Sequence, residues 1–306
     1  MNAAPAVHVI PKRRKKKDWR LFLILLPLLV LIIMFNYVPL AGWALSLFDY
    51  KPGLPLDKCR YMGLFFFQRL LKSRDTMRVL GNTVTFSCLN LLTLPLPMFL
   101  AILLNEIESN RFRKAAQVVT TMPHFISWVI VYALSFALFS GEGLLNQFRA
   151  SLNLQPQNVL TNKNAVYWFQ TAISVWKSLG WNSIIYIAAV AGIDQELYEA
   201  AKVDGAGRFR CALHVTIPGL MPTFIVLLLL QISNFVSSGI DQYMVFTNNM
   251  VTKNIEVLDL YVYTTGLKNQ NYSMAIAAGI MKSAISIVLL VIANLTAKKV
   301  RGESIL

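Results

Sequence analysis

The segment Glu199–Pro222, EAAKVDGAGRFRCALHVTIPGLMP, decides how this chain is read. It is charged and turn-bearing, and it lies between two long apolar stretches. Polar backbone and ionised side chains cannot sit bare in hydrocarbon, so Glu199, Lys202, Asp204, Arg208 and Arg210 place the segment at an aqueous face. Glu199, Ala200 and Ala201 favour helix, and Gly205 and Gly207 permit a sharp turn. Pro218 suits the first turn of the next helix, where its missing N–H costs nothing. A helix and turn held at the membrane surface in this way form a docking element for a soluble partner.

Outward from that segment the chain is apolar. Its 306 residues are 56% hydrophobic and 14% charged, and the mean hydropathy is +0.52. That is too apolar and too poor in charge for an ordinary soluble domain, and it describes an all-α integral membrane protein. The net charge of +14 does not imply nucleic acid, because much of the excess lies in the run Lys12 to Lys17, directly before the first apolar span. Such a run holds a terminus on the cytoplasmic side and suits contact with anionic membrane lipid.

Six spans are predicted: Arg20 to Leu40, then about 79 to 104, 115 to 139, 165 to 192, 218 to 240 and 271 to 297. The first is too long for the apolar core of a signal peptide and lacks a small-residue cleavage site. Residues 1–19 form a basic N-terminal tail, 20–297 one membrane domain and 298–306 a C-terminal tail, with both termini cytoplasmic. Arg111, Arg113 and Lys114, then Lys202, Arg208 and Arg210, then Lys298, Lys299 and Arg301 fit that orientation. The first external loop does not fit, because Lys51, Lys58, Arg60, Arg69, Lys72, Arg74 and Arg78 lie in it or at its border. Within that loop Leu64, Phe65, Phe67, Leu70 and Leu71 alternate with Gln68, Arg69 and Lys72, the pattern of a short interfacial helix. Pro95, Pro97 and Pro123 predict kinks or breaks in the second and third spans.

Polar residues at membrane depth need a partner or water. Gln231, Asn234, Ser238 and Asp241 recur at spacings of three, four and three, which predicts one stripe on the fifth span. Trp176, Lys177, Trp181, Asn182 and Tyr186 of the fourth span are the mixture of aromatic and hydrogen-bonding groups that holds a sugar ring. For Lys177 and Lys282 two roles are open: attracting carboxylates of an acidic oligosaccharide, or capping backbone carbonyls freed at a kink. Cys59, Cys88 and Cys211, and His8, His124 and His214, are scattered and suggest neither disulfide nor metal site. The chain has no G-x-x-x-x-G-K-[ST] phosphate loop and no catalytic constellation.

The pattern E-A-A, three residues, Gly205, nine residues, Val215-Thr216-Ile217-Pro218 resembles the cytoplasmic loop of binding-protein-dependent ABC importer permeases, EAA-x3-G-x9-I-x-L-P. Val215 and Ile217 depart from it while staying apolar. Gly81-Asn82-Thr83, Leu104-Asn105-Glu106, Pro123 to Trp128, and Val175-Trp176-Lys177 through Gly180-Trp181 look like the carbohydrate branch of that family, closest to polysaccharide-type permeases. The resemblance implies the type I fold, six transmembrane helices with a coupling helix in the loop at about 194–217. It assigns ATPase coupling to Glu199, Ala200, Ala201, Asp204 and Gly205, with Arg208 as a salt-bridging neighbour.

The resemblance further implies a second, similar permease, making a heterodimer, a dimer of cytosolic ATPase subunits and an extracytoplasmic binding protein. Together they would import an oligosaccharide or polysaccharide fragment across a prokaryotic cell membrane, with hydrolysis on the ATPases and no cofactor on this chain. Three alternatives stay open: the same mechanism with a non-sugar solute, a gradient-driven secondary transporter or channel, and a structural or sensory subunit that moves nothing.

Overall fold

Apolar runs of membrane-crossing length make this chain helical, and prolines decide where the helices break. The structure, a computed structural model, describes residues 19–301. The basic run at 12–17 and residues 302–306 of the C-terminal tail lie outside the described residues. Two units are distinguished, Met1–Ala44 and Leu45–Leu306. In the first, α1 (Trp19–Ile32) passes into a π turn at Ile33–Tyr37, and a 3-10 stretch begins at Val38.

In the second unit, α2 (Phe65–Lys72) is the short amphipathic helix expected there. Phe66 and Leu70 are buried with Met274, Ala277 and Ala278, while Arg69 and Lys72 stay exposed. Next, α3 (Arg74–Thr93) stops ahead of Pro95, and α4 (Leu96–Asn105) continues in its place. Then come α5 (Asn110–Thr121), a 3-10 turn at Met122–Phe125, α6 (Trp128–Phe139) and α7 (Leu144–Ser151). The third span, expected as one run over 115–139, is therefore interrupted. Pro123 lacks the N–H a continuous helix would need, and the Ser127 hydroxyl accepts from the Ile130 N–H at 3.4 Å to start α6 afresh.

The longest uninterrupted helix of the middle of the chain is α8 (Val166–Ala191), followed by the short α9 (Gln195–Val203) and α10 (Arg208–Cys211). A π turn at Ala212–Thr216 leads into α11 (Ile217–Ser233). Helices α12 (Asp241–Phe246), α13 (Thr252–Ile255) and α14 (Leu258–Tyr263) are short, and α15 (Tyr272–Arg301) closes the described chain.

Among the described residues five helices are long and apolar enough to cross a membrane: 22–47, 74–105, 128–151, 208–233 and 272–295. At 26 residues, α8 reaches about 39 Å, longer than a ~30 Å hydrocarbon core. Its Gln170, Lys177, Asn182 and similar residues keep it out of that apolar set. No β-strand occurs among the described residues, only an isolated bridge between Phe48 and Tyr61.

α8 is the pillar of the second unit. It packs along α4 and also touches α3, α5 and α11. Two apolar clusters fix its ends. Val166 joins Phe86, Val131, Tyr243, Phe246 and Ile255 at one end, and Tyr186 and Val190 join Met98, Ala101, Ile102 and Leu220 at the other. Between them the helix is free to present polar side chains.

Candidate functional site

Residues four apart on a helix share a face, and Ser174, Ser178, Asn182 and Tyr186 of α8 are spaced that way. The face borders a cavity of about 340 Å³. Asn90 and Thr93 of α3 form a second wall, and Gln231 of α11 with Asn234 just beyond it a third. The break at Pro95 opens the space, since Leu94 and Pro97 line it where α3 hands over to α4. Apolar patches from Val175, Leu179, Ile185, Leu227 and Leu230 alternate with the polar groups, and no charged side chain lines the cavity. Tyr186 is 1% exposed, and its buried hydroxyl has no hydrogen-bond partner among the described residues. A buried hydroxyl left unpaired beside amides is a group that water or a polyol can satisfy.

Of the expected path residues, Asn182, Tyr186, Gln231 and Asn234 meet in this cavity, and the others lie elsewhere. Trp176 is exposed on the flank of α8. Trp181 turns toward the broken third span, stacking on His124 with ring centroids 4.5 Å apart and planes at 3°. Lys177 points the same way. Its Nζ donates to the carbonyls of Pro123, His124 and Ile126 at 3.2, 2.7 and 2.6 Å and lies 5.4 Å from the centre of the Trp128 ring. Of its two open roles, the capping one describes these contacts. Replacing Lys177 with methionine keeps the stem and takes the ammonium donor from three carbonyls, of which Pro123 alone is shown with a second donor, the Ile126 N–H at 3.2 Å. The assembled protein should lose stability by about 1–3 kcal/mol, read as a lower melting temperature in detergent.

The expected stripe 231–234–238–241 is corrected by the structure. α11 ends at Ser233, so the helical register does not reach Ser238 or Asp241. Gly239 sits at φ +76°, and the backbone N–H groups of Ser238 and Gly239 donate to Asp259 Oδ2 at 3.0 and 3.1 Å instead of continuing a helix. Asp241 is exposed at the start of α12. Lys282 is paired with Asp259 through Oδ1 rather than standing as a lone cation in a path. Asp259, Asn90 and Thr93 were not singled out from the sequence, although Thr83, Ser87, Asn90 and Thr93 recur at helical spacing along α3, a signal that could have found two of them.

The segment at 194–217 is built as a surface. Asp194 caps α9, its carboxylate accepting from the Glu196 N–H at 3.0 Å. At the other end the Gly205 and Ala206 N–H groups donate to the Lys202 and Ala201 carbonyls at 3.0 and 2.9 Å, with Gly205 at φ +76°. Glu199, Ala200, Asp204 and Gly205 are exposed and Ala201 is half-buried. Apolar side chains are bare as well, with Val203 88% and Phe209 82% exposed. Arg208 forms an ion pair with Glu108 in the connection between α4 and α5. Tyr198 and Thr216 share a hydroxyl hydrogen bond of 3.0 Å that ties α9 to the foot of α11. Among the described residues no cluster of His, Cys, Asp and Glu could hold a metal ion.

Known proteins share this architecture. Residues 93–302 match the family of binding-protein-dependent transport system inner membrane components. The chain is 37% identical to Protein LplB of Bacillus subtilis over 95% of its own length and 92% of that protein's. It is also 37% identical to the polygalacturonan/rhamnogalacturonan transport system permease protein YteP of the same organism, over 99% and 98% of the two chains. Among solved structures, a chain of a bacterial alginate ABC transporter, crystallised with its alginate pentasaccharide-bound periplasmic protein, superposes with a TM-score of 0.86. That chain is 30% identical, with 94% of this chain and 97% of its own length covered. The broken spans, the neutral cavity and the exposed α9 segment thus belong to a multi-pass membrane permease, and the chain is a member of the binding-protein-dependent transport system inner membrane component family.

Proposed function

We propose that this chain is one of two permease subunits of an ATP-driven importer of oligosaccharides, with the cavity between α3, α8 and α11 forming part of its passage. The observation that carries this reading is the cavity's chemistry: amides and hydroxyls interleaved with apolar patches and no fixed charge. Sugars present that same alternation, hydroxyl edges around apolar ring faces. Asn182, Tyr186, Gln231 and Asn234 are its hydrogen-bonding groups. The names of the relatives point to saccharide cargo, and YteP and the alginate transporter suggest fragments of plant or algal polysaccharides.

In the same reading α8 joins the five apolar helices to make six spans, both termini are cytoplasmic, and α9 is the coupling helix. Glu199, Ala200, Ala201, Asp204, Gly205 and Arg208 then face a cytosolic ATPase dimer, because bare Val203 and Phe209 at an aqueous face require a cover. A sister permease and an extracytoplasmic binding protein complete the assembly, in contact with membrane lipid and without nucleic acid.

The test is to isolate the tagged protein from its native membrane, identify what comes with it, and measure uptake of oligosaccharides by the reconstituted complex. Recovery of an ATPase, a second permease and a binding protein is expected. Recovery of this chain alone, where another ABC importer stays intact, would favour a gradient-driven transporter. Gln231→Ala should lower uptake about 5- to 30-fold through loss of one or two hydrogen bonds worth ~1–2 kcal/mol, with the amount of complex unchanged. Equal uptake by variant and parent would remove the cavity from the passage.

A further inference from the structure

The end of α11 is held by a residue that lies outside the cavity. Beyond Ser233 the chain makes a turn in which the Ser237 N–H donates to the Asn234 carbonyl at 2.8 Å, and the next two N–H groups, of Ser238 and Gly239, both donate to Asp259 Oδ2. The second oxygen of that carboxylate pairs with Lys282 of α15. Both charged side chains are largely shielded, 20% exposed for Asp259 and 23% for Lys282. A carboxylate accepting two backbone N–H groups and an ammonium is a strong clamp, since charge-assisted hydrogen bonds are roughly twice as strong as neutral ones.

The clamp is itself anchored to the opposite wall of the cavity. Asp259 follows Leu258, whose N–H donates to Thr83 Oγ1 of α3 at 2.8 Å. Nearby, Asn82 of α3 donates to the carbonyls of Lys253 and Glu256 at 2.8 and 3.0 Å, and the Tyr167 hydroxyl of α8 donates to Asn82 Oδ1 at 2.7 Å. Helix α3 is the one that presents Asn90 and Thr93 to the cavity. A path of hydrogen bonds therefore runs from the α3 wall through α14 to the turn that carries Asn234 on the α11 wall, beside the direct bond from the Ser87 hydroxyl of α3 to the Phe235 carbonyl.

We propose that Asp259 is a positioning residue for the passage: by fixing the turn after α11 relative to α3, it sets where Asn234 stands in the cavity. This rests on the passage reading for its functional meaning, while the positioning itself is a structural statement. Both backbone donors share Oδ2 and the lysine takes Oδ1, so the two roles of the carboxylate can be separated by substitution. The amide contacts position the turn, and the ion pair joins α15 to it.

The experiment is thiol labelling in the assembled complex, in native membrane vesicles, with Cys59, Cys88 and Cys211 replaced by serine. A single cysteine at Asn234→Cys is reacted with a small maleimide, and Ser174→Cys on the α8 wall serves as the reference. Asp259→Ala is expected to change the labelling rate at 234 by at least about fivefold and leave the rate at 174 unchanged. Asp259→Asn, which keeps an acceptor oxygen and loses the charge, should shift the rate at 234 by a smaller factor of about two. Lys282→Met should leave it near the parent value.

The exchange Asp259→Lys with Lys282→Asp restores opposite charges but offers no acceptor to the Ser238 and Gly239 N–H groups, so it should behave as Asp259→Ala. Rescue by the exchange would overturn the proposal in favour of the ion pair alone, as would an unchanged rate at 234 in Asp259→Ala. If the alanine variant does not assemble, the asparagine variant decides, and a rate equal to the parent's overturns the proposal. Labelling is read without any cargo, so failure of the saccharide reading would appear in uptake and leave these rates as they are.

Discussion

Gly180→Ala is expected to shift the folding equilibrium at least about tenfold toward unfolded protein, a loss of more than ~1.4 kcal/mol, and to lower the yield recovered from the membrane. A Cβ built at Gly180 would lie 2.2 Å from the Thr120 carbonyl oxygen, 2.3 Å from its carbon and 2.6 Å from the Thr121 nitrogen. These are backbone atoms at the junction of α5 with the 3-10 turn, and they cannot swing aside as a side chain would. Forcing α8 and α5 apart would also draw Lys177 from the carbonyls it caps and Trp181 from His124, because all three contacts meet the same broken segment. Overpacking alone costs about 1–3 kcal/mol, and the lost caps add to it. Gly279→Ala, where nothing lies within 4 Å of the added carbon, should be tolerated. Equal yields of the two variants, measured by fluorescence-detected size exclusion, would mean the helices do not approach this closely.

That interpretation gives the sequence Trp176-Lys177-Ser178-Leu179-Gly180-Trp181 a sense that composition does not. Aromatic rings, a cation and hydrogen-bonding groups on a membrane helix resemble a sugar site, yet Lys177, Gly180 and Trp181 are turned to the proline break of another helix. The sequence does reveal that a break exists, since Pro123 cannot donate, but not which helix supplies the donors that repair it. Asn182 and Tyr186, one and five residues further on, do reach the cavity. Direction around a helix is legible from spacing; the neighbour met on each side is a tertiary fact.

The same limit explains the stripe that ended early. Gln231, Asn234, Ser238 and Asp241 have helical spacing, and nothing local between Ser233 and Asp241 forbids a helix except Gly239, which helices tolerate at a cost of about 1 kcal/mol. Beyond the end of α11 the Ser237 N–H turns back to the Asn234 carbonyl, and the Ser238 and Gly239 N–H groups go to a carboxylate more than twenty residues onward in the chain instead of to a helix. Long apolar spans, proline breaks at 95 and 123, an amphipathic helix within 64–72 and the polar segment at 194–217 were all readable, because each is set by local composition. Asp259 was not, because its meaning comes from residues distant in sequence.

Gly205→Asp is expected to leave the permease folded and in the membrane, with assembled protein within about twofold of the parent, and to lower uptake at least about tenfold. The substitution meets little resistance within this chain. No atom lies within 4 Å of a Cβ at Gly205, and the residue is exposed. The cost is conformational, a φ of +76° that an L-residue adopts at about 1–2 kcal/mol and that aspartate accepts better than most. The sequence suggested a turn too tight for a side chain, whereas the structure shows a turn that is open in this subunit.

A large functional effect must then come from what covers the turn. If an ATPase subunit seats on α9, a carboxylate at 205 brings a new charge into its interface beside Asp204. A buried charge without a partner is strongly unfavourable there. The measurement is ATPase activity and uptake of the reconstituted complex together with ATPase retention on the tagged permease. Retention and uptake at parent levels would show that the surface around Gly205 is not a contact, and would move the docking site away from this end of α9.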